Sequence, residues 1–444
     1  MSERTPGPAE PSPPRSRGPQ PTVRVARSED SVGLKTALGS LRSVQFRRVF
    51  LSNLMFFLAM QGQGLVRAVI VYELTNSELA LGMVSASVAL TMLIGAPIGG
   101  VLADRFERRR LILIAQAAAI LSEATFFGLL ITGRLAFWHM VMLAGVMGAT
   151  LPLVMPARQA IVVNIVGKSG LGSAMALNMA GVNVMRVLGP AVAGFLIASV
   201  GVETVYGINL GLYVMALIAM LGVKPVRPPS HARDVPIVAS LVEGIRYVRD
   251  HEVVGVMLLY GLIPMFLAMP FQTLLVVFAN DVWDVGSAGL GILNAAAGVG
   301  GVGGSFYVAW RGGSDRRLKL MMVSMVAFGG LLMFFSLSPF FIPAVVFIFS
   351  ANIFASIFQT LNNTAIQLLI SDDVRGRISS FLMMSFSLPL LGTLPLSAVA
   401  ERVGAPAAVG GASVLAVVVA LLFYLFSPAL RELDERVRSA SSES

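Results

Sequence analysis

Residues 80–103 read ALGMVSASVALTMLIGAPIGGVLA, and residues 104–110 follow at once as DRFERRR. The first stretch carries no charge, and about 20 apolar residues are enough for a helix to cross the hydrocarbon layer of a bilayer. The second gathers four arginines and two acids into seven residues. A charge at the centre of a spanning helix costs roughly 2.5–3.5 kcal/mol, so the switch at Asp104 marks where the chain leaves lipid for water.

The same pattern recurs along the chain. Spans are expected near 49–73, 80–103, 111–132, 137–157, 172–199 and 204–223, then near 254–280, 288–310, 318–337, 341–370, 378–400 and 407–427. Residues 320–371 are uncharged throughout, which is too long for one crossing. Pro339 and Pro343 mark the turn inside that run. Only 13% of the 444 residues are charged and 56% are hydrophobic, against about 25% charged in soluble domains. The expected fold class is an all-α membrane protein of 12 transmembrane helices.

Between and beyond the spans the composition changes. Residues 1–46, rich in Pro, Arg, Ser and Gly, are expected to be a disordered tail. Residues 47–223 form a first six-helix unit and 254–428 a second, with a short tail at 429–444. The polar connector 224–253 places Ile237, Leu241, Ile245 and Val248 at helical spacing, with Glu243, Arg246, Arg249 and Asp250 on other faces. That is the pattern of an amphipathic helix lying on the membrane or against the bundle.

Charge gives the orientation. Of 33 Lys and Arg residues, only Arg134 and Arg402 fall on one side, and Arg67 and Arg186 fall within spans. The rest sit on the side that holds both termini. An excess of Lys and Arg in short loops marks the cytoplasmic face, so both termini are expected in the cytoplasm. The net charge of +9 is then a topology signal with some attraction for anionic lipid, not a nucleic-acid footprint.

Other chemistries find little support. There is no cysteine, and His139, His231 and His251 are the only histidines, without metal-site spacing. Gly298-Val-Gly300-Gly-Val-Gly303 lies inside a hydrophobic span and follows no strand, so it reads as small residues for helix packing. Gly167-Lys168-Ser169 lacks the first glycine of a phosphate loop, since position 162 is Val. No enzyme site, metal or cofactor is expected, and no ATP-driven engine is visible.

The halves echo each other. SELALG at 77–82 opens span 2 and SAGLG at 287–291 opens span 8; Ala160-Ile161 matches Ala365-Ile366, and Pro190 matches Pro395. Duplicated six-span units are how many transporters build a site at the membrane midplane.

The loop Gly100-Val-Leu-Ala-Asp104-Arg105-Phe-Glu107-Arg108-Arg109-Arg110 resembles the hallmark loop of the major facilitator superfamily, with Glu107 where that pattern has Gly. Pro156-Ala-Arg158-Gln-Ala160, Arg186-Val-Leu-Gly189-Pro190-Ala-Val-Ala-Gly194, Glu243-Gly244-Ile-Arg246-Tyr247-Val-Arg249-Asp-His251 and Arg375-Gly376-Arg377 narrow the resemblance to the branch that holds macrolide-type drug efflux proteins and the enterobactin exporter. It covers about 49–428. The segment through Gly189, Pro190 and Gly194 resembles the span 5 motif of proton-driven antiporters, with Met185 and Ala193 where glycines are usual. The arginine usual in mid-span 4 is missing, since Arg158 falls at the inner end of that span.

The resemblance implies a major facilitator fold: two pseudo-symmetric six-helix bundles around a central cavity. It implies a cytoplasmic gate in which Asp104, Arg105, Arg108 and Arg109 meet span 11 beside Arg375 and Arg377. It implies structural roles for Gly100, Gly189, Pro190 and Gly194. It also implies that spans 1, 4, 7 and 10 line the cavity, which makes Gln61, Gln63, Arg67, Gln272, Gln359, Asn362 and Asn363 candidates for ligand contact. The same polar residues equally suit bonds between helices. For Arg67 the second reading is snorkelling to the outer interface.

Glu123 and Arg186 fall at similar depth in spans 3 and 5 and are expected to pair, either as a proton-handling couple or as a fixed salt bridge. Asn178 and Asn183 in span 5 suit helix contacts. The expected function is export of a small amphipathic molecule, such as a drug, siderophore or metabolite, by alternating access coupled to the proton gradient of the plasma (inner) membrane. A lipid or lysolipid translocator and a non-transporting receptor or scaffold remain as alternatives. The expected partners are a small-molecule substrate and membrane lipid, not nucleic acid, and the chain is expected to work as a monomer.

Overall fold

A computed structural model describes residues 40–225, 246–247, 249–311, 317–370 and 387–431. Twelve membrane-spanning helices succeed one another. The first six are α1 (Val44–Thr75), α2 (Glu78–Arg105), α3 (Arg108–Ile131), α4 (Phe137–Val166), α5 (Gly172–Val200) and α6 (Val202–Leu221). The second six are α7 (Val253–Val282), α8 (Gly286–Arg311), α9 (Arg317–Leu337), α10 (Phe341–Leu369), α11 (Leu388–Val403) and α12 (Ala405–Phe426). All but α11 meet the length and apolarity of a full crossing within the described residues.

The helices start and stop for local reasons. Ser43 accepts from the Phe46 N–H and Ser77 from the Ala80 N–H, which caps α1 and α2. The backbone stays helical from Phe137 to Val200, yet Arg158 and Asn178 both reach Asn53. Twenty residues of straight helix would part them by about 30 Å, so the chain reverses between α4 and α5. In α7 two π-helical turns, Pro264–Ala268 and Phe278–Val282, interrupt the α-helix. Pro264 has no N–H to give, which frees the register there.

Apart from span 11, whose expected residues 378–386 lie outside the described residues, the expected spans lie within a few residues of those observed, with two differences. Helix α1 begins at Val44, inside the expected tail. Helix α4 runs to Val166, so Arg158 lies inside the helix and not at its end. Of the connector, Arg246, Tyr247, Arg249 and Asp250 are helical; Ile237, Leu241, Glu243, Ile245 and Val248 lie outside the described residues.

Backbone geometry supports the duplication. Asn76 between α1 and α2 and Asp284 between α7 and α8 both adopt φ 47°. Gly201 between α5 and α6 and Gly404 between α11 and α12 both adopt φ 85°, a left-handed value that favours glycine. Each half therefore makes the same two turns at the same places.

The protein has a basic face, with the α2–α3 loop, and a far face, with the α1–α2 and α7–α8 turns. The two halves join towards the far face. Ser77 Oγ and the Leu79 N–H, on α2, both donate to Glu401 of α11 at 3.0 Å. Tyr72 donates to Asp281 across the same boundary. Helices α5 and α8 meet at Gly194 and Gly291, where a Cβ on Gly194 would stand 2.6 Å from the Gly291 Cα. Towards the basic face a separate apolar cluster around Phe46, Val49, Ile112, Ala157 and Ile161 draws only on first-half residues. Gly194→Leu should force α5 from α8 and lower stability by about 1–3 kcal/mol, as overpacking does. Thermal unfolding of the purified protein measures this, and an unshifted midpoint would refute the close contact.

Candidate functional site

Glu123 of α3 is completely buried, and three donors converge on its carboxylate. Arg67 Nη2, from α1, donates to Oε1 at 2.5 Å. Gln63, also from α1, and the Tyr206 hydroxyl, from α6, donate to Oε2. Phe126 stacks on Tyr206 with centroids 4.8 Å apart and lies under the Arg67 guanidinium at 5.3 Å. The cluster exists because helical spacing puts Gln63 and Arg67 one turn apart on α1. Gln63 Oε1, Arg67 Nε and the nearby Asn209 Nδ2 are buried without a hydrogen-bond partner.

A second buried cation lies nearer the basic face. Arg158 is 2% exposed and donates to Asn53 Oδ1, to Gln116 Oε1 at 3.1 Å and to Ser52 Oγ at 3.3 Å. Its guanidinium sits over the Phe56 ring, 4.3 Å from the centroid. Among the described residues no carboxylate is within ion-pair distance. Asn53 donates on to Asn178 at 2.7 Å. The clusters share a ladder, since Gln116 and Glu123 are seven residues apart on α3, as are Tyr213 and Tyr206 on α6. Two turns of helix bring each pair onto one face.

The expected pair of Glu123 with Arg186 is not what the structure forms. The carboxylate takes Arg67, and Arg186 is exposed on α5. Nor does Arg67 snorkel; its side chain is buried in the ion pair. Gln61 lies on the other side of α1 from Gln63, with its Cβ against Gly189. Gly189, Pro190 and Gly194 are buried in α5. In the second half Gln272 is exposed, Gln359 donates to Asn363 at 3.3 Å, and Asn362 is buried beside Gly261. Asn178 makes the expected helix contact, whereas Asn183 is exposed.

At the basic face, Arg108 donates to the Ala160 carbonyl at 3.3 Å and Arg109 to the Leu221 carbonyl at 2.8 Å. Both bonds tie the start of α3 to helices of the same half, and cations suit the carbonyl end of α6. Gly100, Asp104 and Arg105 lie in the last turns of α2, their surroundings outside the described residues, as are Arg375 and Arg377 altogether.

Twelve spans in two matching halves are an architecture shared by known proteins. The family described as transmembrane secretion effectors, a major facilitator group, matches residues 35–443. The chain belongs to the major facilitator superfamily. Enterobactin exporters of Shigella boydii serotype 18 and of Escherichia coli O1:K1 are each 28% identical over 350 residues, which cover 75% of this chain and 80% of theirs. Among solved structures, the nucleoside transporter NupG superposes with a TM-score of 0.68 at 12% identity over 86% of this chain and 98% of its own. A bacterial homologue of the human lysosomal transporter Spinster, inward-facing and unoccupied, gives 0.65 at 14% identity over 90% and 98%. The fold is thus that of a membrane transporter, and the exporter relatives support efflux.

Sequence reasoning missed Tyr206 and the burial of Arg158. The seven-residue spacing of Tyr206 and Tyr213, matched by Gln116 and Glu123, was the available signal. Arg67→Met or Glu123→Leu alone should cost about 3–5 kcal/mol, because each leaves a buried charge alone, while the double variant should cost far less than their sum. Unfolding of the three variants in detergent tests this, and additive losses would refute the pairing.

Proposed function

We propose that the protein exports a small amphipathic molecule by alternating access, driven by the proton gradient across a bacterial inner membrane, with its basic face and both termini in the cytoplasm. The observation that carries this reading is the asymmetry of the join between the halves. Glu401 and Asp281 tie the second half to the first at the far face, while the apolar cluster at the basic face belongs to the first half alone. Among the described residues, this asymmetry supports a cavity open to the cytoplasm and closed outside.

Glu123 is the candidate proton carrier. It stands fully enclosed in the first half, and its partners Gln63 and Arg67 are on the helix that also carries Tyr72. A proton on Glu123 would cancel the charge that holds Arg67 and loosen α1 five residues from the Tyr72–Asp281 contact. Charge change at Arg67 would thus bias the closure at Tyr72, about 7.5 Å further along α1. When the cavity closes on the cytoplasmic side, Asp104, Arg105, Arg108 and Arg109 are assigned to the lock with Arg375 and Arg377. Enterobactin, the molecule named for the relatives, is the first substrate to try. The protein works as a monomer surrounded by lipid.

The test is export of enterobactin, macrolides and dyes from cells without their own pumps, with and without a protonophore. Wild type should export at least one of them, and the protonophore, Glu123→Gln and Asp104→Asn should each cut export about tenfold or more. Protonophore-sensitive export that survives Glu123→Gln would move the coupling site elsewhere. No export from correctly inserted protein would favour lipid translocation, to be read with labelled lysolipid.

A further inference from the structure

Arg186 has no place in the two buried clusters, and the packing of α5 fixes which way it looks. One flank of α5 lies on α1: Asn178 bonds Asn53, Gly181 abuts Leu54 and Phe50, and Gly189 abuts Gln61. The opposite flank lies on α8, through Val187 against Gly298 and Gly194 against Gly291. Two faces remain. Val184, Leu188 and Phe195 occupy one, and they are 49%, 43% and 69% exposed. At 100° per residue, Met179, Asn183 and Arg186 fall roughly half a turn away from them. An all-apolar exposed face is the lipid side. The face with an asparagine and an arginine, between a helix of the first half and one of the second, looks into the space between the halves.

Arg186 is 14 residues from Gly172 and 14 from Val200, so roughly 21 Å from either end of α5 and near the middle of a ~30 Å hydrocarbon layer. A charge at that depth is rare unless it meets a partner or a water-filled cavity. Among the described residues Arg186 has no carboxylate within ion-pair distance, unlike Arg67. Asn183 lies nearly one turn to one side on the same face, and Gln61 reaches α5 at Gly189, one turn to the other. Met179, 39% exposed, extends the patch with apolar surface.

We propose that Arg186 is the anion-recognition residue of the transport cavity, which binds the carboxylate, phenolate or phosphate of an amphipathic organic anion while Asn183 and Gln61 hydrogen-bond to it. The guanidinium suits such groups because it offers two parallel donors to two oxygens. This inference rests on the transport reading but not on proton coupling or on Glu123.

Two measurements test it. The chain has no cysteine, so Arg186→Cys and Leu188→Cys each place a single thiol. In inside-out vesicles the membrane-impermeant anionic methanethiosulfonate reagent MTSES should label Arg186→Cys at least tenfold faster than Leu188→Cys. Equal rates would overturn the placement. The second compares export of anionic carboxyfluorescein and cationic rhodamine 123. Wild type should prefer the anion. Arg186→Gln should cut anion export about tenfold and leave the cation unchanged, and Arg186→Lys should restore much of the loss. Parallel loss of both dyes, or no anion preference in a wild type that still expels rhodamine 123 or enterobactin, overturns the inference and leaves the exporter reading standing. A protein that expels none of the three probes removes both.

Discussion

The carboxylate of Glu123 is the point on which the first half turns. A full charge inside a membrane bundle costs several kcal/mol unless geometry and hydrogen bonds compensate it. Here the compensation comes from three side chains on two helices, Gln63 and Arg67 on α1 and Tyr206 on α6. Helices α1, α3 and α6 are therefore held together by a group that none of them could carry alone. Such a pair specifies position more than it adds stability, because two well-packed apolar side chains of the same volume would serve stability as well. What an apolar pair would lack is a response to charge.

Small residues and turn geometry supply the rest of the frame. In lipid, helix association is not driven by hiding apolar surface, since lipid is equally apolar; close packing and hydrogen bonds take its place. Gly194 against Gly291 lets α5 and α8 touch backbone to backbone across the two halves. At the far face polar groups join the halves alongside the apolar cluster they share: Glu401 accepts from the first turn of α2, where helix N–H groups have no internal partner. A contact built from a few hydrogen bonds at the membrane boundary, where water competes, is suited to be broken and remade. The apolar cluster at the basic face, drawn from the first half alone, has no such competitor.

The spans were legible because the bilayer sets their length and removes charge from them, two constraints written along the chain. Depth was legible as well, but only as well as the ends were placed. Glu123 lies eight residues before Ile131 and Arg67 eight before Thr75, whereas Arg186 lies fourteen before Val200. With these ends the correct partner is the nearer in depth; comparing only positions halfway along spans 3 and 5 pairs Glu123 with Arg186 instead. Azimuth was the missing quantity. It decides why Gln61 and Gln63, two residues apart, serve opposite sides of α1, and it follows from helix neighbours, which the sequence does not state. Arg158 was misplaced for a simpler reason: residues 158–166 include Arg158 and Gln159, so the apolar run looks finished before the helix is.

The three arginines deep within the helices of the first half now separate into three physical states. Arg67 is neutralised by a carboxylate. Arg158 is buried with its charge spread over a hydroxyl, two side-chain amides and the face of Phe56; charge-assisted bonds of this kind, with a cation–π contact, replace much of the lost hydration without cancelling the charge. Among the described residues Arg186 has neither device. A buried cation held by neutral groups is fixed, because any movement breaks several bonds together. A paired cation is released when its acid gains a proton. An exposed cation without a partner is free from the start. On the function proposed above, these differences would give a division of labour in which Arg158 holds the bundle, Arg67 answers the proton and Arg186 is left to meet the cargo.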